Sequence, residues 1–281
     1  MQYLRNTWYV AMWSEQLVPG KLERREILGE PLVIYRAPDG GVVALQDRCP
    51  HRFAPLHLGK LQDNGAIECG YHGLHFDRHG SCIYNPHGKG LVPEAAKVRA
   101  YPAHEAHSLV WVWMGDKTPD ASRIPDLSMV GQAQARYITQ RDHLEMDAGY
   151  QLVVDNLLDL SHTVILHRGV LGNADTASAQ IRVDQQGDVV TVSRWMPSVR
   201  PPGLFDMLFR RDGEPADHWT DIRWMAPCYL VNDAGVTAPG ADRAEGSGIY
   251  GRRAAAQRSP RTPWRVRPPM AIPFCRRTTV R

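Results

Sequence analysis

Four residues have types and a spacing that suggest metal chemistry: Cys49, His51, Cys69 and His72. They form a Cys-x-His and a Cys-x-x-His segment, with 17 residues between His51 and Cys69, enough for strands that bring two loop tips together. Zinc sites more often draw two like ligands from one loop. One thiolate and one imidazole from each loop instead suit a [2Fe–2S] cluster with both thiolates on one iron and both imidazoles on the other. A structural zinc ion is the alternative.

A second group of ligand-type residues lies in the middle of the chain. Asp155, Asp159 and His162 are spaced i, i+4 and i+7, which places them on one face of a helix predicted over 147–162. Apolar residues recur with a helical period in this segment, and no proline interrupts it. Taken alone, the pattern fits the solvated face of a surface helix.

The alternative is a metal site that includes His167, five residues after His162. Five residues rotate an unbroken helix by about 140°. Both imidazoles can therefore reach one metal ion only if the helix ends or distorts between Ser161 and Val164. Two neutral imidazoles and one carboxylate would form the facial triad of non-haem Fe(II) oxygenases, which leaves positions open for O₂ and substrate.

The elements that must position these residues predict an α+β chain. Residues 1–115 have strand and turn patterns, which predict an all-β domain with a hairpin turn at 38–41. Residues 116–135, rich in Asp, Pro, Ser and Gly, are predicted to be a linker. Residues 136–250 combine the helix with antiparallel strands in a second domain. The predicted strands are 32–36, 42–45, 67–76, 81–84, 109–114, 181–183, 189–195 and 219–231.

The basic residues of the chain are unevenly distributed. All 281 residues together carry 33 basic and 30 acidic side chains, a net charge of +3. Residues 251–281 hold nine Arg, five Pro and no acidic residue, so the preceding 250 carry 24 basic against 30 acidic groups. Because the basic excess is confined to one end, no nucleic-acid partner is predicted. Residues 251–281 lack helical and strand periodicity and are predicted to be disordered.

Composition also bears on location and on the other cysteines and histidines. No stretch approaches the about 18–20 apolar residues of a membrane helix, and no signal-peptide pattern is present, which predicts a cytoplasmic protein without a membrane partner. Five cysteines in such a chain do not suggest a disulfide framework. Three cysteines lack partner spacing (Cys82, Cys228, Cys275), and four histidines are interpreted as surface or packing residues (His57, His75, His79, His87).

The two Cys-His segments resemble those of Rieske non-haem iron oxygenases, in which Cys-x-His is followed by Cys-x-x-His. Neither segment has the extra cysteine with which respiratory Rieske proteins link the two loops. With the opening segment 3–11, segments 47–52 and 69–76 are most similar to the vanillate O-demethylase oxygenase group. The resemblance covers about residues 1–244 and implies that the four Cys and His residues bind a [2Fe–2S] cluster.

The resemblance also implies roles in the second group. Asp159, His162 and His167 match the family's Asp-x-x-His-x-x-x-x-His element, in which the histidines bind a mononuclear Fe(II). Asp159 would bridge a cluster histidine of the neighbouring subunit to an iron-bound histidine and carry the electron between the centres. The resemblance also implies a homotrimer. Asn156 matches a polar residue that lines the iron site in relatives.

The activity implied is that of a monooxygenase component. A flavin and iron–sulfur reductase would deliver electrons from NAD(P)H to the cluster, and O₂ would be activated at the mononuclear iron. The substrate would be an aromatic acid such as vanillate, which is hydroxylated or O-demethylated with release of formaldehyde. Hydroxylation of another aromatic or alicyclic acid is the alternative within enzymes, and a catalytically inactive Rieske electron-transfer protein is the alternative outside them.

The third iron ligand of the family is an Asp well over a hundred residues after the second His. This chain has 114 residues after His167, and the last 31 contain no carboxylate side chain. We therefore expect that the family sequence stops near 244–250, that the remainder is an out-of-frame translation, and that the catalytic domain is incomplete. Six earlier Asp residues come too soon to match the pattern: Asp206, Asp212, Asp217, Asp221, Asp233 and Asp242.

Overall fold

A computed structural model describes residues 3–127, 137–142, 148–254 and 272–277. The described residues divide into two compact units, with the boundary between Asp126 and Leu127. The first unit is all-β, and the second combines an antiparallel sheet with short helices. This architecture confirms the predicted α+β class. None of the described helices is long and apolar enough to cross a membrane.

The first unit is built from short antiparallel strands. Its strands are β1 (Thr7–Trp13), β2 (Glu23–Ile27), β3 (Glu30–Arg36), β4 (Val42–Gln46), β5 (Lys60–Leu61), β6 (Ile67–Glu68), β7 (His75–Phe76), β8 (Cys82–Tyr84), β9 (Ala100–Tyr101), β10 (Ala103–Ala106) and β11 (Leu109–Met114). They form three sheets in the orders β1-β11-β10, β2-β3-β4-β9 and β5-β6-β7-β8. Single 3₁₀ turns cover Ser14–Gln16, Leu56–Leu58 and Ala121–Arg123.

The predicted hairpin at 38–41 is confirmed as the connection between β3 and β4. Gly40 has a φ of +85°, a conformation that glycine adopts without steric cost. Arg78 closes the turn by donating to the Asp39 carboxylate at 2.8 and 3.0 Å. The apolar run of β3 is buried on both faces, which explains why its hydrophobic residues do not alternate with polar ones.

Two predictions for this unit are wrong in detail. Residues 67–76 do not form one strand, because residues 69–74 loop out between β6 and β7. Residues 116–126 are not a linker but pack within the first unit. There Trp113 Nε1 donates to the Lys117 carbonyl at 2.9 Å, and Trp8 Nε1 donates to the Asp120 carbonyl at 2.7 Å. Residues 128–135 lie outside the described residues.

The second unit is organised around one antiparallel sheet. Its strands are β12 (Tyr137–Asp142), β13 (Ile181–Gln186), β14 (Val189–Val199), β15 (Ala216–Met225), β16 (Tyr229–Thr237), β17 (Ser247–Ala254) and β18 (Ile272–Arg277), in the order β12-β18-β17-β16-β15-β14-β13. Its helices are α1 (Tyr150–Leu158), α2 (Thr163–Leu166), α3 (Ala174–Ala177) and α4 (Gly203–Leu208), and a 3₁₀ turn covers Arg243–Glu245.

Helix α1 lies against the sheet through a small apolar core. Val154 and Leu160 pack with Val192, Ile222 and Leu230, which come from β14, β15 and β16. Because these three strands are neighbours, the end of α1 is fixed over the β14–β16 part of the sheet. The predicted strand over 219–231 is in fact two strands, β15 and β16, separated by a turn that contains proline.

The predicted helix over 147–162 is too long. Residue 147 lies outside the described residues, and α1 ends at Leu158. Asp159 leaves the helical conformation with φ −76° and ψ 98°, and its Oδ1 accepts hydrogen bonds from Ser161 N and Oγ at 2.8 and 2.5 Å. Such local side-chain bonds compete with helix continuation, which is why helical periodicity overestimated its length.

The prediction that residues 251–281 are disordered is wrong for two segments. Residues 251–254 continue β17, and β18 pairs with both β17 and β12. The remaining residues, 255–271 and 278–281, lie outside the described residues. Main-chain pairing with a neighbouring strand requires no alternating side-chain pattern, so periodicity did not reveal β18.

A histidine that the sequence did not single out is fully buried in this unit. His218, on β15, is 0% exposed, and its Nδ1 donates to the Gly235 carbonyl at 2.8 Å. Its ring lies 4.4 Å from that of Phe205. Burial, with a smaller effect of Arg194, lowers the pKa of His218 to about 4, so the ring is neutral in the folded chain.

We expect this histidine to make folding sensitive to acid. The unfolded chain takes up a proton near pH 6.5 and the folded chain only near pH 4, so its stabilising effect is complete above pH 6.5 and is lost towards pH 4. Between about pH 7.5 and about pH 5 the loss is about 2 kcal/mol. Urea unfolding at both values measures it. In His218→Asn, whose amide can still donate to Gly235, this part of the pH dependence should vanish; an unchanged dependence would contradict the assignment.

Candidate functional site

The first cysteine loop follows β4 and is closed by its own backbone. Cys49 N donates to the Ala54 carbonyl and Phe53 N donates to the Cys49 carbonyl, both at 2.9 Å. Phe53 takes a φ of +59°, which is uncommon for a residue with a side chain. The tight turn places Cys49 inside the unit and leaves His51 exposed at the tip.

The second loop connects β6 and β7 and repeats the same pattern. Cys69 N donates to the Leu74 carbonyl at 2.8 Å, and Gly73 N donates to the Cys69 carbonyl at 2.9 Å. Gly73, with φ +67°, occupies the position that Phe53 has in the first loop. The two loops are therefore matched hairpin tips, each with a buried cysteine at its base.

The structure brings the two cysteines together. Cys49 and Cys69 are each 1% exposed, and their thiols are neighbours. Burial and the neighbouring thiol raise the pKa of Cys49 to about 11. Metal ions bind thiolates, so a bound cation would reverse this effect by stabilising the charged form.

The structure also brings the two predicted histidines together. The rings of His51 and His72 lie 4.5 Å apart, and both are accessible from outside the loops. Desolvation and the nearby charges of His51, His87 and Arg52 lower the pKa of His72, which favours the neutral imidazole that metal binding requires. Two buried thiols beside two outer imidazoles fit a [2Fe–2S] cluster with different ligands on each iron.

Two histidines interpreted as surface or packing residues contact these loops. His87 Nε2 donates to the His72 carbonyl at 2.8 Å, and it borders a cavity of about 570 Å³ next to His51 and His72. His57 donates from its backbone N and its Nδ1 to the carboxylate of Asp47, at 2.8 and 2.5 Å. This carboxylate is 1% exposed and closes the base of the first loop. The sequence indicates this role of Asp47 only by its position, two residues before Cys49.

The second predicted group is built at the end of α1. Because the helix stops at Leu158, His162 lies immediately before α2 and His167 immediately after it, and their rings are 5.2 Å apart. The predicted interruption is present, although it begins at Asp159. The predicted helical face of Asp155, Asp159 and His162 does not form, because only Asp155 lies on α1. Asp155 and Asn156 are exposed on α1.

The hydrogen bonds of His162 determine which nitrogen is free. Its Nδ1 donates to the Asp159 carbonyl at 2.5 Å and lies 3.7 Å from the Asp159 carboxylate. The Nε2 lone pair is then available to a metal ion, since a metal-binding imidazole usually donates its other N–H to an oxygen. Hydrogen bonds from Ser161 lower the pKa of Asp159, whose side chain is 49% exposed.

Within the described ranges, no three His, Cys, Asp or Glu side chains converge where they could hold one metal ion. The His162 and His167 rings are near each other, but no described carboxylate joins them to complete a facial triad. The six Asp residues from 206 to 242 all accept hydrogen bonds from nearby backbone or side chains, which gives each a structural role.

Comparison with known protein families covers both units. Residues 7–102 match the Rieske [2Fe-2S] domain, and residues 146–256 match the vanillate O-demethylase oxygenase C-terminal domain. The chain is 39% identical to a chloroacetanilide N-alkylformylase oxygenase component from Rhizorhabdus wittichii, over 89% of this chain and 71% of the relative. It is 40% identical to a dicamba O-demethylase oxygenase component from Stenotrophomonas maltophilia, over 85% and 70%.

Solved structures agree with these matches. Dicamba monooxygenase bound to 3,6-dichlorosalicylic acid superposes with a TM-score of 0.85 at 33% identity, covering 99% of this chain and 79% of that one. Dicamba monooxygenase with non-haem iron and dicamba superposes with a TM-score of 0.77 at 33% identity, covering 99% and 78%.

Proposed function

This chain belongs to the Rieske non-haem iron oxygenases, and from this membership we propose that it hydroxylates or O-demethylates a small aromatic acid such as vanillate. Family members are oxidoreductases that use O₂, a [2Fe–2S] cluster, a mononuclear iron and electrons from a reductase. O-Demethylases acting on vanillate and dicamba are among its relatives. We further propose a flavin and iron–sulfur reductase oxidising NAD(P)H as partner, a cytoplasmic location and a homotrimer.

One observation carries the proposal: two matched loops each hold a buried cysteine, and their His51 and His72 rings face each other at 4.5 Å. In this proposal Cys49 and Cys69 hold one iron, and His51 and His72 hold the other. When bound, the cluster would accept and pass on single electrons. The chain's contribution is to present the two imidazoles at the outer tips of the loops, where a redox partner can approach them, while the thiols stay away from water.

His162 and His167 are proposed to hold the mononuclear iron, which would supply O₂ activation. The Asp159 carbonyl accepts a hydrogen bond from His162 Nδ1, which leaves Nε2 free to bind the iron. Its half-exposed carboxylate can accept an N–H from a histidine of a neighbouring subunit, which is the bridging role proposed for it. Asn156, exposed on α1, is proposed to line the site.

Iron content and oxygen uptake test this function. The purified chain, reconstituted with iron and sulfide, should hold three irons, show a Rieske EPR signal, and consume O₂ with a reductase, NADH and vanillate, forming formaldehyde. Other methoxybenzoates and chloroacetanilides test the remaining substrate classes. Two irons with a Rieske signal and no turnover would instead identify an electron-transfer protein, and zinc without a chromophore would overturn both assignments.

The bridging role of Asp159 predicts a specific loss. Asp159→Asn keeps the size of the side chain and an oxygen for Ser161, but it removes the charge that accepts an imidazole N–H strongly. We expect turnover to fall by about 10- to 100-fold while the iron content and the Rieske signal stay unchanged. Steady-state O₂ uptake measures the effect, with Asp155→Asn, an exposed carboxylate on α1, as the control. Equal activity of the two variants would exclude the role.

A further inference from the structure

A closed triangle of hydrogen bonds holds the turn between α1 and α2. Arg194 Nη1, from β14, donates to the Leu160 carbonyl at 3.2 Å, and Arg194 Nη2 donates to Thr163 Oγ1 at 3.4 Å. Thr163 Oγ1 donates in turn to the Leu160 carbonyl at 2.9 Å. Each of the three bonds joins a donor to an acceptor. Together they hold Leu160 and Thr163, the two ends of the segment 160–163.

Arg194 is an unusual residue to find at this place. It is 3% exposed, its Nε has no hydrogen-bond partner, and none of the carboxylates in the described ranges pairs with it. A buried cation without a counter-charge is costly. A packing role alone would be met at lower cost by an apolar residue of the same length, so the two donated hydrogen bonds indicate a specific task.

The segment that Arg194 holds contains His162. Leu160 and Thr163 lie on either side of it, and the preceding Asp159 carbonyl orients its ring. On the other side, an added Cβ at Gly172 would stand only 2.7 Å from the Thr163 carbonyl, so the backbone is confined there too. We infer that Arg194 is a positioning residue that fixes the turn so that His162 Nε2 can bind a metal ion. This inference rests on the proposed function.

Iron binding in the holoenzyme tests the inference. Arg194→Met and Thr163→Val should weaken binding of the mononuclear iron by about 10- to 100-fold, measured by competition with a chelator, because both remove contacts that orient a ligand. Thr163→Ser keeps the hydroxyl and should bind iron as the unaltered chain does. Arg182→Met, at an exposed position of β13, is the matched control. The Rieske EPR signal serves as an internal measure of loading.

The outcomes separate the two hypotheses. If the unaltered chain holds only two irons, the mononuclear site fails and the positioning role falls with it. If it holds three and folded Arg194→Met and Thr163→Val bind the third iron normally, only the positioning role is wrong. Should Arg194→Met fail to fold, Thr163→Val decides alone, since it deletes a single hydroxyl. A purely structural role would lower the unfolding temperature without changing the iron affinity of the folded protein.

Discussion

Cys69→Ser should abolish the [2Fe–2S] cluster and with it all reductase-dependent oxygen uptake. The thiol is 1% exposed and lies beside Cys49, so no other thiolate of the described loops can take its place. A serine hydroxyl does not deprotonate near neutral pH and is a much harder donor than thiolate. Two of the three irons should be missing, and the visible absorption of the cluster should disappear.

The control for this change is Cys82→Ser. Cys82 is a half-buried cysteine on β8 whose Sγ donates a hydrogen bond to the Tyr84 carbonyl at 3.5 Å. This variant should keep the cluster, its EPR signal and its activity. A Cys69→Ser protein that retains the Rieske signal, or a Cys82→Ser protein that loses it, would show that the ligands are assigned wrongly.

His162→Ala should produce the reciprocal loss. With one imidazole left at His167, iron affinity should fall by more than the about 10- to 100-fold typical of losing a group that merely supports a ligand, and turnover should be undetectable. The four proposed cluster ligands lie in the first unit, which has its own core and strands. The Rieske signal should therefore be unchanged, with two irons per chain.

Metal analysis and EPR on the same samples distinguish the two variants. His162→Ala should lack only the mononuclear iron, and Cys69→Ser only the cluster irons. His79→Ala, an exposed histidine on a turn of the first unit, is the control for removing an imidazole. Three irons in His162→Ala would place the mononuclear site elsewhere in the chain.

The loop pairs could be predicted because their geometry is local. The hydrogen bonds that close each loop join residues at most five positions apart, so the spacing of Cys, His and Gly specifies the turn. The hairpin at 38–41 was predictable for the same reason. Residues 116–126 were not, because their place in the first unit depends on Trp8 and Trp113, which lie outside that segment.

The amino-acid sequence by itself thus determined which side chains are ligand candidates, their pairing within each loop, and the α+β class. Only the tertiary structure decided which distant groups support them. Arg194 reaches Leu160 across 34 positions of the chain, and the buried His218 packs against Phe205 of α4, 13 positions away in the sequence. Short-range turns follow from backbone geometry that the local residues dictate, whereas long-range contacts depend on which strands become neighbours, and the pattern within one segment does not encode that order.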